Sequence, residues 1–244
     1  KEAMYVMALV YLNAYQIDSA GEIFSRLYSE DPGLFEAKWG KAEVLRRKHK
    51  IEESAGMLNE VIEQHPDFYP AYISSSYIEY TKRQYNKAIV LAKKVLAAGR
   101  DSVDLSNVVR AYLLLAGNRG MIAYNGGPIS KIINGPAVIF DLRRAESMQP
   151  DAVGVLFAMG SYYLLLPAFA GRNLEKAESY LNKTIKLYPL FPDAYVRLAQ
   201  LYKFKKDSAR YEEYLNKALK IDPDNELALD IKSGKCNFIC LDRD

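Results

Sequence analysis

Two histidines and two cysteines are the residues of this chain best suited to metal or nucleophilic chemistry. His49 and His65 lack the neighbouring cysteines or carboxylates that would complete a metal site, so we interpret them as solvated or helix-capping residues. Cys236 and Cys240 lie four residues apart in the C-terminal tail, where a disulfide or a thiol pair is possible. No further cysteine completes a zinc set, and we interpret the two as incidental thiols. These residues predict no catalytic centre, no metal and no cofactor, and we expect the protein not to be an enzyme.

Two glycine–proline stretches have the composition of a phosphate-binding loop. They are Gly126-Gly127-Pro128 and Asn134-Gly135-Pro136. Neither is followed by Gly-Lys-Ser or Gly-Lys-Thr, and proline lacks the backbone N–H group that an anion cradle would use. We therefore expect both stretches to form turns.

The composition is that of a folded protein, with 50% hydrophobic and 26% charged residues among 244. A net charge of +3 is too small to indicate nucleic acid or an anionic membrane as the partner. Because no apolar run approaches the roughly 20 residues that span a bilayer, we expect no transmembrane segment in this chain. The chain begins at Lys1 without an initiator Met. Its location is therefore open between the cytoplasm and the bacterial periplasm or envelope. The second location would require an export signal or anchor upstream of Lys1.

Prolines recur at an interval of 34 residues, which separates Pro32 from Pro66 and Pro189 from Pro223. Apolar residues within each interval are spaced three or four apart in two successive stretches, as in two helices that each pack along one stripe. A repeat of this length is typical of a stacked helix–turn–helix. The spacing predicts an all-α solenoid of about six repeats and a C-terminal capping helix. The repeats would cover residues 1–34, 35–68, 69–101, 102–152, 153–191 and 192–225, with the capping helix and tail at 226–244.

The residues within the repeats resemble the tetratricopeptide repeat, in which an aromatic residue, Leu-Gly and Tyr are followed by Ala, Phe and Pro. The first repeat carries Ala8 and Tyr11, then Ala20, Phe24 and Pro32. This resemblance implies a right-handed superhelix whose first helices line a concave face. It also implies a protein-interaction scaffold that binds extended peptides on that face.

Under this resemblance, the exposed stripe of the first helices forms the partner-binding groove. The stripe is more aromatic and aliphatic than charged, which suits a hydrophobic peptide, a partner helix or a small hydrophobic ligand. The competing interpretation is that neighbouring helices, or the inserted loop, cover part of the stripe. The candidate groove residues are Tyr5, Leu9, Trp39, Glu43, Arg46, Arg47, Ile73, Tyr77, Tyr80, Arg110, Phe157, Arg197 and Gln200.

Two insertions interrupt the repeat register. About 17 extra residues fall within 117–135 of the fourth repeat, and a short insertion falls at 167–171 of the fifth. We predict that the first insertion is a long loop that packs against the second or across the mouth of the groove. A structural patch and a binding or oligomer contact are both open. The candidate contact residues are Ile122, Tyr124, Ile129, Ile132, Ile133 and Phe169.

Two further functions are alternatives to a peptide-binding scaffold. The stretch from Ala168 to Ala177 resembles the enlarged turn of the periplasmic T-component proteins linked to TRAP transporters. That resemblance implies a small hydrophobic ligand, although Arg172 stands where the family has a second glycine. The second alternative is a scaffold that polymerises through its open ends, which a polar capping helix at 224–232 would oppose.

Overall fold

A computed structural model describes residues 1–99 and 101–234 of the chain. Within these ranges the regular structure consists of thirteen α-helices and one 3-10 turn, with no strand. The all-α prediction is therefore confirmed. None of these helices is long and apolar enough to cross a membrane. Cys236 and Cys240 lie outside the described residues.

The helices follow the predicted order of pairs separated by short turns. They are α1 (Glu2–Asn13), α2 (Ile17–Glu30), α3 (Phe35–Arg47), α4 (Ile51–Gln64), α5 (Tyr69–Thr81), α6 (Tyr85–Ala97), α7 (Leu105–Asn125), α8 (Pro128–Met148), α9 (Val153–Leu165), α10 (Leu174–Leu187), α11 (Pro192–Phe204), α12 (Ser208–Ile221) and α13 (Glu226–Ser233). The 3-10 turn, Ala168–Ala170, lies between α9 and α10.

The chain divides into two compact units, which are described separately. The N-terminal unit contains Lys1–Ala123 and Gly127–Arg144, and the C-terminal unit contains Tyr124–Gly126 and the chain from Ala145 onwards. A single solenoid over residues 1–244 stays a prediction.

Small buried residues let the paired helices of the N-terminal unit cross closely. Ala8 on α1 and Ala20 on α2 are fully buried, as their place in the repeat predicts. In the next pair, the buried Ser54 Oγ on α4 donates a hydrogen bond of 2.8 Å to the carbonyl oxygen of Ala42 on α3. The third pair repeats this bond, because Ser76 Oγ on α5 donates to the carbonyl oxygen of Ala88 on α6, also at 2.8 Å. Each hydroxyl thus fits a crossing that has no room for a larger side chain.

The turn after several first helices holds one residue in the left-handed backbone region. Tyr15, His49 and Arg83 have φ of 60° and stand 34 residues apart, and Lys206 has the same φ in the C-terminal unit. The residue after each one donates its N–H to a carbonyl five residues back, as the N–H of Lys50 does to Leu45 at 2.9 Å. This closes the helix with the αL cap that usually uses glycine. His49 therefore ends a helix, in agreement with its interpretation as a capping residue.

The prediction of a long loop at 117–135 is wrong, because α7 continues to Asn125 and α8 begins at Pro128. The extra residues lengthen both helices to 21 residues, against 12 to 14 for α1 to α6. Glycine within a helix costs about 1 kcal/mol and an interior proline about 3 kcal/mol. α8 contains both Gly135 and Pro136, so the turn predicted at Asn134-Gly135-Pro136 is also wrong. Arg119 on α7 forms an ion pair with the buried carboxylate of Asp141 on α8. Pro128 is the first residue of its helix, where the missing N–H has no intrahelical role.

In the C-terminal unit, α9–α10 and α11–α12 are the helix pairs and α13 follows them. The short insertion at 167–171 forms the 3-10 turn, and Gly171 ends it with φ of 99°. Asn225 caps α13 by accepting the N–H of Ala228 at 2.9 Å, and Gly234 ends that helix with φ of 68°. The predicted short terminal helix is therefore present.

Candidate functional site

The predicted groove residues divide between the two units. Ten lie on α1, α3, α5 and α7 of the N-terminal unit, whereas Phe157 on α9 and Arg197 and Gln200 on α11 belong to the C-terminal unit.

Trp39 and Ile73 are not exposed, which corrects their place on an accessible stripe. The side chain of Trp39 is 5% exposed and packs against Leu58 and Phe68, with its ring 5.7 Å from that of Phe68. Its indole Nε1 donates a hydrogen bond of 3.0 Å to the hydroxyl of Ser74. Ile73 is only 3% exposed. Helical spacing alone assigned both residues to the accessible stripe, but both are buried, and Trp39 packs against residues of α4 and α5.

A group of charged side chains on the first helices, which we call the arginine cluster, consists of Arg46, Arg47, Arg110 and Glu43. Glu43 lies at its centre and is only 5% exposed. The guanidinium of Arg46 donates to both carboxylate oxygens of Glu43, from Nε at 2.9 Å and from an Nη at 3.0 Å. Nε of Arg47 lies 3.8 Å from the same carboxylate. Bidentate pairing of this kind fixes the geometry of both partners.

Aromatic rings and polar groups from neighbouring elements hold the arginines in place. The guanidinium of Arg46 lies 4.8 Å from the ring centroid of Tyr77 on α5, and that of Arg47 lies 4.9 Å from the ring centroid of Tyr15. An Nη of Arg47 also donates to the carbonyl oxygen of Leu12 at the end of α1. Each arginine is therefore oriented by contacts on α1, on α5 or in the turn after α1.

Arg110 connects the first and the fourth of these helices. It lies in the second turn of α7 and donates a hydrogen bond of 3.1 Å to Oδ1 of Asn13, the last residue of α1. Although 97 residues separate the two in the sequence, this bond joins the end of α1 to α7. The cluster thus combines groups from α1, α3, α5 and α7.

Burial and opposing charges shift the titration of the cluster. Burial acts to raise the pKa of Glu43, but the charge and hydrogen bonds of Arg46, helped by Arg47, outweigh it and hold the pKa well below its usual range. The pKa of Arg46 is raised, because its attraction to Glu43 outweighs burial. The pKa of Arg47 is lowered, mainly by burial and further by repulsion from Arg46 and Arg110. Two guanidinium groups thus share one buried carboxylate, and the positive charge of Arg110 adds to the repulsion at Arg47.

Three other candidates of the N-terminal unit lie on α1 and α5. Tyr5, Leu9 and Tyr80 are half-buried. Burial raises the pKa of the Tyr5 hydroxyl, and the carboxylates of Glu36 and Asp104 raise it further. Two carboxylates, Glu36 at the start of α3 and Asp104 just before α7, therefore act on Tyr5.

The candidates of the C-terminal unit form smaller groups. The ring of Phe157 meets that of Phe191 edge-on at 5.1 Å. Arg197 and Gln200 are 8% and 5% exposed, and an Nη of Arg197 donates to Oε1 of Gln200 at 2.6 Å. The expectation of an exposed stripe is therefore also wrong for Arg197 and Gln200, because α11 lies between the helices of its own unit.

The predicted loop contacts do not form a packed loop. Ile122 and Tyr124 are half-buried on α7, whereas Ile129, Ile132 and Ile133 on α8 are 74%, 74% and 66% exposed. Phe169, in the 3-10 turn, is 94% exposed. The prediction that these isoleucines pack against another segment is therefore wrong.

Tyr15 is a contributor to the cluster that the sequence analysis missed. Its position is marked by the 34-residue spacing to His49 and Arg83, which identifies a helix-ending turn. Nothing in that spacing indicates that the ring contacts Arg47. The ring of His65 stacks on that of Phe35, with centroids 3.7 Å apart. Across the described ranges, no three His, Cys, Asp or Glu side chains are grouped so that they could hold a metal ion.

Comparison with known proteins supports the fold. Residues 192–225, which contain α11 and α12, match the family model described as the tetratricopeptide repeat. The chain is similar to a solved structure of the APC/C hetero-tetramer Cut9–Hcn1, with a TM-score of 0.61 and 16% identity over 94% of this chain and 42% of that one. No curated protein sequence matches the chain.

Two further solved structures match over nearly the full length of both chains. One is PilW, described as a widely conserved type IV pilus biogenesis factor, with a TM-score of 0.52 and 14% identity over 95% of this chain and 97% of that one. The other is pilF of Pseudomonas aeruginosa, with a TM-score of 0.51 and 12% identity over 96% of each chain. At these identities the likeness concerns the fold alone. This chain therefore has the fold of a tetratricopeptide repeat solenoid, with residues 192–225 matching the family model of one such repeat.

Proposed function

We propose that the protein is a non-enzymatic interaction scaffold whose N-terminal unit binds a partner segment carrying a carboxylate at the arginine cluster. The observation that supports this proposal is the charge imbalance of the cluster. Arg46, Arg47 and Arg110 converge there, and Glu43 is the carboxylate that forms ion pairs with two of them.

The guanidinium groups have donors to offer a ligand. A guanidinium carries five N–H donors, and Arg110 uses one of them on Asn13. Arg47 gives one Nη to the carbonyl oxygen of Leu12, and its Nε lies at the long distance of 3.8 Å from Glu43. An incoming carboxylate would accept hydrogen bonds from both arginines in the bidentate manner that guanidinium favours. It would also reduce the repulsion that lowers the pKa of Arg47.

The surroundings of the cluster favour a partner segment with apolar or aromatic residues beside its acid. Tyr5, Leu9 and Tyr80 lie on α1 and α5, the helices whose groups contact the arginines, and have half-buried side chains. Such side chains supply contact area with little loss of conformational entropy. A short peptide that combines an acidic residue with an apolar one fits this arrangement better than a purely apolar peptide does.

The T-component resemblance gives a second candidate function, a periplasmic protein that binds a small hydrophobic ligand. The observation that favours it is the turn at 167–172, where Gly171 has a φ of 99° and Arg172 Nε donates to the carbonyl oxygen of Leu166 at 2.8 Å. Native mass spectrometry of the purified chain tests it, since a co-purified lipid-like molecule is expected. Self-assembly through open ends stays a third hypothesis.

The carboxylate proposal is tested by selecting peptides from a displayed random library on the immobilised full-length chain. We expect the selected sequences to be enriched in Asp, Glu or a free C-terminus together with Leu, Phe or Tyr. Their synthetic versions should bind the Arg110→Glu variant at least tenfold more weakly, measured by fluorescence anisotropy. Arg143→Glu is the matched control, because it makes the same charge change at an exposed position on α8 outside the cluster.

Two results would contradict the proposal. One is a selected set with no acidic enrichment, and the other is equal binding by the wild type and Arg110→Glu. The folding of Arg110→Glu is checked by circular dichroism. If that variant is unfolded, Arg110→Ala takes its place, because it removes the bond to Asn13 and the positive charge without introducing a carboxylate.

A further inference from the structure

The outer face of α8 within the N-terminal unit presents an apolar stripe to solvent. Ile129, Ile132, Ile133 and Phe140 are 74%, 74%, 66% and 57% exposed, and Pro136 is exposed between them. The spacing of three and four places all five on one side of the helix, over about 16 Å of its length. Large aliphatic side chains exposed in a continuous row mark an interaction surface rather than ordinary surface variation.

The other side of α8 is already occupied, so the stripe is not a displaced core face. Ser130 Oγ donates to the carbonyl oxygen of Ile122 on α7 at 3.0 Å, and Asp141 forms its ion pair with Arg119 on the same helix. Leu142 is 3% exposed on this packed side. The helix therefore has one face that packs within the protein and a second apolar face that the described residues leave in solvent.

The exposed charged residues of α8 between positions 128 and 144 are all positive. Lys131, Arg143 and Arg144 are exposed, and the guanidinium of Arg144 lies 5.3 Å from the ring centroid of Phe140. The acidic residue of Gly127–Arg144 is Asp141, which is 2% exposed and paired with Arg119. The modest net charge of the whole chain thus conceals a local excess of positive charge beside an apolar stripe.

We infer that this face of α8 is a peripheral binding site for an anionic phospholipid surface. The isoleucines and Phe140 would enter the boundary between headgroups and acyl chains, and Arg143 and Arg144, which flank the stripe, would lie at the level of the lipid phosphates, as in amphipathic helices that bind in the plane of the interface. Charge complementarity selects this occupant over a second copy of the chain. Two copies would bring their positive charges together without an exposed carboxylate on the same face to offset them.

Vesicle flotation of the full-length chain tests the inference. The probes are vesicles of phosphatidylcholine alone and vesicles of equal parts phosphatidylcholine and phosphatidylglycerol. We expect the bound fraction to rise at least tenfold with phosphatidylglycerol and to fall when salt is added, since the charges act over the Debye length. Replacing Arg143 with alanine should weaken partitioning about fivefold, the effect of about 1 kcal/mol for each charge near the surface.

A matched pair of variants separates the stripe from general surface hydrophobicity. Ile133→Asp and Val90→Asp each place a carboxylate at a side chain that is 66% exposed, the first on the stripe and the second on α6. Vesicle binding should fall at least tenfold for Ile133→Asp and stay unchanged for Val90→Asp. Because neither residue is buried, both variants should retain the circular dichroism of the wild type.

Three results would overturn the inference. They are the absence of binding to the anionic vesicles, equal loss in the two aspartate variants, and a wild-type dimer in analytical ultracentrifugation that Ile133→Asp dissociates without any vesicle binding. The last result would assign the stripe to a second copy of the chain. None of these outcomes bears on the arginine cluster, because the variants leave Arg46, Arg47 and Arg110 intact.

Discussion

Replacing Glu43 with glutamine should destabilise the N-terminal unit by about 3–5 kcal/mol, the range measured when one member of a buried ion pair is removed. The structure supports a value in this range for two reasons. Glutamine can accept one of the two hydrogen bonds from Arg46 but presents an amide donor to the other, so a charge-assisted bond of about 1.5–3 kcal/mol is lost. The side chains of Arg46 and Arg47 are only 19% and 15% exposed, so they would repel each other with little help from solvent.

The measurement can be confined to the N-terminal unit, because Trp39 is the single tryptophan of the chain. Its buried indole lies four residues before Glu43 on the same helix, and its fluorescence should change when that helix unfolds. Urea unfolding followed at this residue gives the free energy of unfolding for the wild type and for Glu43→Gln. Glu63→Gln is the control, because it makes the same chemical change at an exposed position on α4.

A loss below about 1 kcal/mol for Glu43→Gln would refute the reasoning, since that is the size expected of an exposed ion pair. A loss of equal size in Glu63→Gln would refute it as well. The double variant Glu43→Gln with Arg46→Met should be more stable than Glu43→Gln alone, because it removes one of the uncompensated cations. If the double variant is no more stable, repulsion among the guanidiniums does not explain the cost.

Three further predictions concern pH and the backbone. The folded-state pKa of Glu43 is depressed, so the stability that its carboxylate contributes is complete above the unfolded pKa of about 4.3 and is lost progressively as pH falls below that value. Urea unfolding at several pH values should show that Glu43→Gln lacks this part of the acid sensitivity. Lys206→Gly should raise the free energy of unfolding by about 1 kcal/mol in thermal unfolding followed by circular dichroism, because the φ of 60° at Lys206 suits glycine, and Lys206→Ala should bring no such gain. Gly40→Ala should lower the free energy of unfolding by about 1–3 kcal/mol, because its Cβ would lie 2.2 Å from the buried ring of Phe24. Gly56→Ala, whose Cβ would have nothing within 4 Å, should stabilise α4 by up to about 1 kcal/mol. Trp39 fluorescence in urea measures both variants, and a tolerated Gly40→Ala would contradict the close packing of α2 on α3.

Most of the helices could be predicted from the sequence because repeat spacing and side-chain size act together. The 34-residue period located the helix pairs, and the small residues Ala8 and Ala20 marked a close crossing that the structure contains. The exception is the α7–α8 pair, where Gly126-Gly127 forms a connection but the glycines around it do not. A glycine need not end a helix where tertiary contacts offset its low helix propensity. The ion pair of Arg119 with Asp141 is one contact between these two helices. Sequence spacing does not reveal a pairing between two separate helices.

The arginine cluster could be predicted only in part. Repeat spacing placed Arg46, Arg47 and Arg110 on first helices, and the structure has them on α3 and α7. It could not show that Arg110 bonds to Asn13, because a contact over 97 residues depends on how successive repeats are rotated. For the same reason it assigned Trp39 to a partner, although its indole bonds to Ser74 on the next first helix. Period and polarity identify a face, and the rotation between repeats decides which residues of that face stay accessible.

In the proposed function, stability and binding at the arginine cluster would oppose each other. If Glu43 were accompanied by a second carboxylate, the guanidiniums would be balanced and the N-terminal unit would gain stability, but an incoming acid would find no unmatched charge. With one carboxylate for three guanidiniums, Arg47 remains in a site where burial and like charges both disfavour its charged form. If the proposed ligand carboxylate removes this penalty, it would bind the folded chain and not the unfolded one, so part of its affinity would be stability that the free protein lacks. The bidentate pair of Glu43 with Arg46 holds the remaining arginines in position while that charge is unmatched.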